Sequence, residues 1–93
     1  MGRSARRKQE RLAEKLLTIR LSLGLSQNEI LDRMGLTEDL YRTNISSYER
    51  GEREPPYFAL LEYARIAGVC TDVLLDDELD LPEKLPSRPK HER

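Results

Sequence analysis

Gly24-Leu25-Ser26-Gln27-Asn28-Glu29 is the stretch that decides the fold, because it ends one helix and begins another with almost no chain between them. Glycine adopts the left-handed conformation found at helix C-termini without a Cβ penalty. Ser26 and Glu29 have the spacing of a capping box, in which each side chain bonds to the backbone N–H of the other residue. The stretch therefore predicts two tightly joined helices that cross at a steep angle.

Three more glycines, Gly35, Gly51 and Gly68, mark helix ends further along the chain. Apolar side chains between them recur at intervals of three and four residues, which indicates helices with one face in a core. The predicted core positions are Leu12, Leu16, Ile19, Leu23, Ile30, Leu31, Met34, Leu60, Tyr63, Ala64, Ala67, Val73 and Leu74. On the first helix, the opposite, solvent-facing side is expected to carry Arg11, Glu14 and Lys15. The expected fold is all-α, a compact five-helix bundle.

Capping and breaking residues predict where these helices begin and end. The expected helices run from about Gln9 to Gly24, from Gln27 to Met34, from a Thr43 or Asn44 cap to Arg50, from Pro55-Pro56 to Gly68, and from a Thr71 cap onward. Residues 36–42 have no clean period and predict a loop, with one helical turn from Thr37 as an alternative.

The charges are nearly balanced overall, at a formal net charge of −1, but they are segregated along the chain. Residues 1–20 hold seven Lys or Arg and two Glu, whereas residues 72–83 hold six Asp or Glu and no Lys or Arg. This segregation favours a basic face for a polyanion, with an acidic end kept away from it. The alternative is that both charged ends only keep the chain in solution.

The same patterns divide the chain into three parts. Residues 1–8 are expected to form a flexible basic arm and residues 9–76 the folded domain. Residues 77–93 form a charged, proline-containing tail that is expected to be disordered or loosely attached, because it lacks apolar residues to pack.

Several function classes are disfavoured by what the sequence lacks. It has neither a long apolar run nor the apolar stretch of a signal peptide, so we expect a cytoplasmic protein without a membrane partner. The lone Cys70 fits a reducing compartment and is expected to be a small core residue. The only histidine is His91, and neither metal-ligand spacing nor a glycine-rich phosphate loop is present. We expect no enzyme activity, no cofactor and no metal.

A set of short segments occurs in one order: Arg20, Gly24-Leu25-Ser26-Gln27, Met34-Gly35-Leu36, Ile45-Ser46-Ser47-Tyr48-Glu49-Arg50-Gly51, Arg53-Glu54-Pro55, and Leu60 through Val69. This ordered set resembles the helix-turn-helix family of phage repressors, the Cro and cI-repressor group also called the xenobiotic-response-element type. The resemblance implies a bundle whose third helix lies in the major groove, usually in each half of a dimer. The nine residues between Gly35 and Ile45 exceed the turn of that family and bring Glu38 and Asp39 toward the DNA-facing side.

The resemblance also implies roles for individual residues. Gln27, at the start of the second helix, is expected to contact a DNA phosphate. Base edges are expected to be read by Arg42, Thr43, Asn44 and Ser47. Phosphate contacts are expected from Arg50 and Arg53. Ser46 is also expected among the DNA-binding residues, and both Ser46 and Tyr48 are expected to serve the backbone or the core.

Two further sets complete the expected site. Arg20 and Glu49 match a partly buried ion pair of the family, which is a structural role and not a binding role. In the arm, Arg6 and Arg7, together with Arg3, Lys8 and Arg11, are expected to contact phosphates or to enter the minor groove. A solubilising terminus is the alternative for the arm.

Two functions compete. The leading hypothesis is a sequence-specific transcription regulator, most simply a repressor, that binds a two-half-site operator in double-stranded DNA as a homodimer. The alternative is an antitoxin-like interaction module that neutralises a protein partner through residues 76–93, which would fold on binding. The two hypotheses are not exclusive.

Overall fold

The structure of the protein is a computed structural model that describes residues 10–85. Its five helices are α1 (Leu12–Ser22), α2 (Gln27–Arg33), α3 (Arg42–Glu49), α4 (Tyr57–Ala67) and α5 (Thr71–Leu75). The described part of the chain contains no strand. The all-α, five-helix bundle expected from the sequence is confirmed.

The joint between α1 and α2 has the predicted geometry. Gly24 has a φ of 71°, in the left-handed region where other residues are strained. The N–H of Glu29 donates to Ser26 Oγ at 3.1 Å, and the N–H of Ser26 donates to Glu29 Oε1 at 2.7 Å. Both halves of the capping box are therefore formed, and they set α2 across the end of α1.

One core lies between the helices. Its largest fully buried side chains are Tyr63, Leu16, Ile19, Ile30, Ile45 and Leu74. Three predicted core residues, Leu23, Leu60 and Val73, are only partly buried. On α4 the inner face is rotated from the predicted one, because Ala59 and Ile66 are buried beside Tyr63.

The long turn between α2 and α3 is anchored at both ends. Leu36 and Leu40 are buried, and the N–H of Leu40 donates to the Leu36 carbonyl at 2.9 Å. The segment thus contains one helical turn, the alternative that the sequence allowed. Thr37, Glu38 and Asp39 between the anchors are exposed.

Cys70 and Thr71 are placed differently from the prediction. Cys70 is exposed, so its assignment to the core was wrong. It is the N-cap residue of α5 in an extended conformation, and Thr71 is the first helical residue instead of the cap.

Lys15, expected on the solvent-facing side of α1, is buried. Its ammonium donates to the carbonyl oxygens of Val73 at 2.6 Å and Asp76 at 3.0 Å. These carbonyls lie at the C-terminal end of α5, where helix carbonyls lack partners and a cation is favourable. Lys15 therefore caps α5 from another helix, and burial lowers the pKa of its ammonium.

The beginning of the tail lies against α1. The Asp77 carboxylate accepts from the N–H groups of Glu10 at 2.9 Å and Arg11 at 3.2 Å, and these contacts lower its pKa. The Arg11 guanidinium donates to the Asp77 carbonyl at 2.8 Å and to Asp80 at 2.7 Å. The expected separation of the acidic end from the basic segment was wrong, because Arg11 and Asp80 form an ion pair. Residues 86–93 of the tail and the arm at 1–8 lie outside the described residues.

No helix within residues 10–85 has the length and apolar character needed to cross a bilayer.

The Tyr63 hydroxyl generates a stability prediction. It is enclosed in the core, no described group forms a hydrogen bond with it, and burial raises its pKa. An unsatisfied buried polar group costs about 1–3 kcal/mol. Tyr63→Phe is therefore expected to raise the free energy of unfolding by about 1 kcal/mol in urea denaturation. Tyr63→Leu is the control and should lower it, because it removes the packed ring. A loss of stability in Tyr63→Phe would show that the hydroxyl has a partner.

Candidate nucleic-acid interface

Helices α2 and α3, with the turn between them, form a helix-turn-helix. Ile45 and Tyr48 are buried and fix α3 on the core. The remaining side chains of α3 are exposed or half-buried, and they include the predicted site residues Arg42, Thr43, Asn44, Ser46 and Ser47. Arg50 and Arg53, which follow the helix, are exposed. The structure thus brings these seven predicted residues to one helix and its C-terminal end.

The start of α3 is earlier than predicted. Its N-cap residue is Tyr41 and its first residue is Arg42, so the expected cap at Thr43 or Asn44 was wrong. Asn44 instead lies in the first turn, and its Oδ1 accepts the Tyr41 N–H at 2.8 Å. This bond uses one of the two lone pairs of Oδ1. The other lone pair and both N–H donors of the Asn44 amide remain free to form hydrogen bonds with a base edge.

A partly buried ion pair joins α1 to α3, as the resemblance implied. Arg20 Nε donates to Glu49 Oε2 at 2.7 Å, and Arg20 Nη2 donates to Glu49 Oε1 at 3.0 Å. The two side chains are only 14% and 5% exposed. The bond to Glu49 raises the pKa of Arg20, while Arg20 Nη1 donates to the Leu25 carbonyl at 3.0 Å. This bidentate pair sets the position of α3 relative to the α1–α2 joint.

Gln27 connects the ion pair to the start of α3. Its Nε2 donates to Glu49 Oε1 at 3.0 Å, and its Oε1 accepts from Arg42 Nη1 at 3.4 Å. One amide N–H then remains for a phosphate, the contact predicted from the sequence. The sequence indicated the residue but not these two internal bonds.

Arg50 has local partners too. Its guanidinium bonds to both carboxylate oxygens of Glu52, at 3.0 Å and 2.9 Å, and also to Ser46 Oγ. The bonds raise the pKa of Arg50 and lower that of Glu52. Both side chains are 56% exposed, and solvent screens an exposed pair so that it contributes little to stability. A DNA phosphate can therefore replace Glu52 at small cost.

Three placements complete the site. Arg6 and Arg7 lie outside the described residues. Tyr41, which the sequence analysis did not select, is exposed directly before Arg42. The signal for it was an aromatic residue within a polar insertion.

Residues 10–85 contain no group of three or more His, Cys, Asp and Glu side chains that could hold a metal ion.

Comparisons with known proteins give two relatives, both from Bacillus subtilis strain 168. The chain is 35% identical over 66 residues to the uncharacterized HTH-type transcriptional regulator YqaE, a match that covers 71% of this chain and 53% of that protein. It is 37% identical over 75 residues to the SPbeta prophage-derived uncharacterized HTH-type transcriptional regulator YonR, covering 77% and 66% respectively. The chain thus spans between half and two thirds of the length of these relatives. No family model and no solved structure matches the chain.

Because the Arg20–Glu49 pair is shielded from solvent and the Arg50–Glu52 pair is exposed, deleting the two carboxylates is expected to lower the free energy of unfolding by unequal amounts. Glu49→Ala leaves the partly buried Arg20 without its carboxylate partner, which is expected to lower the free energy of unfolding by up to about 3–5 kcal/mol. Glu52→Ala removes an exposed, solvent-screened pair of the same type and should leave the free energy of unfolding almost unchanged. Urea denaturation followed by circular dichroism measures both. Equal costs would show that the Arg20–Glu49 pair does not hold α3 in place.

Proposed function

From its similarity to helix-turn-helix transcriptional regulators, we propose that the chain is a sequence-specific DNA-binding regulator that acts as a dimer on a two-half-site operator, most simply as a repressor. We further propose that it is of the Cro and cI-repressor type, on the ordered segments described above. The contact with DNA is made by the outward side of α3, in the major groove.

One observation carries this proposal: the outward side of α3 is polar or basic, and its only acidic residue faces inward. The Glu49 side chain is only 5% exposed and is paired with Arg20, whereas Arg42 and Thr43 are exposed at the N-terminal end of the helix. The N-terminal residues of a recognition helix are those that contact base edges. A surface of this composition suits the polyanionic, donor- and acceptor-rich major groove.

We assign the individual DNA contacts from the positions of the side chains. Arg42 and Asn44 read base edges with Thr43 and Ser47, Gln27 and Arg53 bind phosphates, and Arg50 binds a phosphate after it leaves Glu52. Ser46, which accepts from Arg50, positions that side chain. Arg6 and Arg7 of the arm add phosphate contacts or enter the minor groove.

The tail stays the candidate surface for a protein partner. Asp77 and Asp80 already bond to Arg11 of the same chain. A partner that uses residues 76–93 must therefore displace these bonds or bind further along the tail.

Selection of bound sequences from a random pool of DNA duplexes tests the proposal as a whole. We expect an enriched motif with two related half-sites, separated by about 10–10.5 base pairs or a multiple of that. Sedimentation of the protein with and without the selected duplex should show two copies on each duplex. A pool without any enriched motif would contradict sequence-specific binding.

Arg42 and Asn44 can be tested with variants that separate binding from folding. Arg42→Ala should weaken binding to the selected duplex by about 1–3 kcal/mol and change nonspecific binding much less. Arg65→Ala, on exposed α4 surface, is the control and should change neither.

For Asn44, aspartate is the informative replacement. Asn44→Asp keeps an acceptor for the Tyr41 N–H and places a negative charge in the first turn, so stability is expected to be retained. It loses the amide donors needed for adenine, so specific binding should fall by about 1–3 kcal/mol. Fluorescence anisotropy with selected and scrambled duplexes measures, for Arg42→Ala and for Asn44→Asp, the ratio of specific to nonspecific affinity. An unchanged ratio in both variants would remove α3 as the reading helix.

The arm is tested by salt dependence. Each phosphate neutralised by a basic side chain steepens the plot of log affinity against log salt by about 0.9. Replacing Arg3, Arg6, Arg7 and Lys8 by Gln should therefore flatten the slope by up to about 3–4 units per subunit, with the order of base preferences kept. Loss of preference at A·T-rich flanks would instead indicate minor-groove insertion. An unchanged slope would leave the arm without a DNA contact.

A further inference from the structure

Two tyrosines are almost fully exposed, and only one of them adjoins the recognition helix. Tyr41 and Tyr57 have 77% and 76% of their surface accessible. Tyr57 is the first residue of α4, and its ring packs edge-on against Phe58 with the centroids 5.8 Å apart. Tyr41 is the N-cap residue of α3.

The backbone fixes the Tyr41 ring on the outside. Leu40 before it is buried, and Tyr41 itself is extended, with φ −112° and ψ 165°. Successive side chains of an extended backbone point to opposite sides, so a buried Leu40 turns Tyr41 outward. The Tyr41 N–H is also held by Asn44 Oδ1. The ring therefore stands at the end of α3 that contacts base edges.

The surroundings favour an uncharged contact for this ring. Glu38 and Asp39 lie just before it in the same turn and are both exposed. Their carboxylates repel phosphates, so the turn itself is unsuited to the DNA backbone. The major groove also displays an apolar group, the C5-methyl of thymine, which side chains read by apolar contact.

We propose that Tyr41 recognises one thymine in each half-site by packing its ring against the C5-methyl group. This inference rests on the proposed DNA-binding function and adds a residue that fixes sequence preference. It assigns to the insertion between α2 and α3 the task of presenting an aromatic ring beside Arg42.

The test removes the methyl group and the ring separately. Each thymine of the selected duplex is replaced in turn by deoxyuridine, and binding is measured for the natural chain, Tyr41→Ala, Tyr41→Phe and Tyr57→Ala. At one thymine per half-site, loss of the methyl should weaken the natural chain about four-fold, the factor that corresponds to one buried methyl group. Tyr57→Ala and Tyr41→Phe should show the same four-fold effect. Tyr41→Ala should bind the natural duplex more weakly and be insensitive to every deoxyuridine.

Other results overturn the inference. The inference is wrong if Tyr41→Ala binds the natural duplex as tightly as Tyr57→Ala does. It is also wrong if Tyr41→Ala still binds more weakly when a thymine is replaced by deoxyuridine. If Tyr41→Phe loses as much affinity as Tyr41→Ala, a hydrogen bond of the hydroxyl carries the contact and not the ring. If the natural chain selects no sequence at all, the proposed function fails, and this inference fails with it.

A spectroscopic measurement covers the case in which Tyr41→Ala folds poorly. The chain has four tyrosines and no tryptophan, and Tyr48 and Tyr63 are buried. In Tyr57→Phe, tyrosine emission that iodide can quench therefore comes from Tyr41. The selected duplex should protect that emission from iodide. Equal quenching with and without the duplex would exclude Tyr41 from the interface.

Discussion

The partly buried ion pair between Arg20 and Glu49 is the interaction on which the position of α3 and the character of its outward side depend. It fixes α3 to α1, and the same two side chains hold the Leu25 carbonyl and the Gln27 amide. Because Glu49 is neutralised inside the bundle, α3 places no negative charge toward a polyanion. A single interaction thus supports both the position of the helix and the sign of its outer surface.

Features that depend on neighbours in the sequence could be predicted from it, and features that depend on distant residues could not. A left-handed glycine and the Ser26–Glu29 capping box need only a few adjacent residues, so the joint of α1 and α2 was predicted correctly. The burial of Lys15 depends on carbonyls 58 and 61 positions away. The exposed Cys70 follows from how α5 packs, which no local pattern specifies.

The candidate site shows the same limit. The resemblance, together with the capping residues, indicated most of the side chains that lie on α3, but not their hydrogen-bond partners. Gln27, Asn44 and Arg50 are each bonded within the chain. The start of α3 was misplaced because the cap is Tyr41, a residue type without the usual capping preference, and Asn44 bonds back to it instead. These internal bonds preorganise the side chains, and the exposed ones can be exchanged for DNA at small cost.

The charge segregation takes on a different meaning in the folded chain. Counted along the sequence, residues 1–20 are strongly basic, but three of their cations are engaged within the bundle. Arg11 bonds to Asp80, Lys15 to the end of α5 and Arg20 to Glu49. What this segment can offer to a polyanion therefore depends on the basic side chains of residues 1–8 and on Arg11, whose exposed pair with Asp80 can be exchanged. Since Asp77 also accepts from the backbone N–H groups of Glu10 and Arg11, the beginning of the acidic tail holds the two residues that directly precede α1.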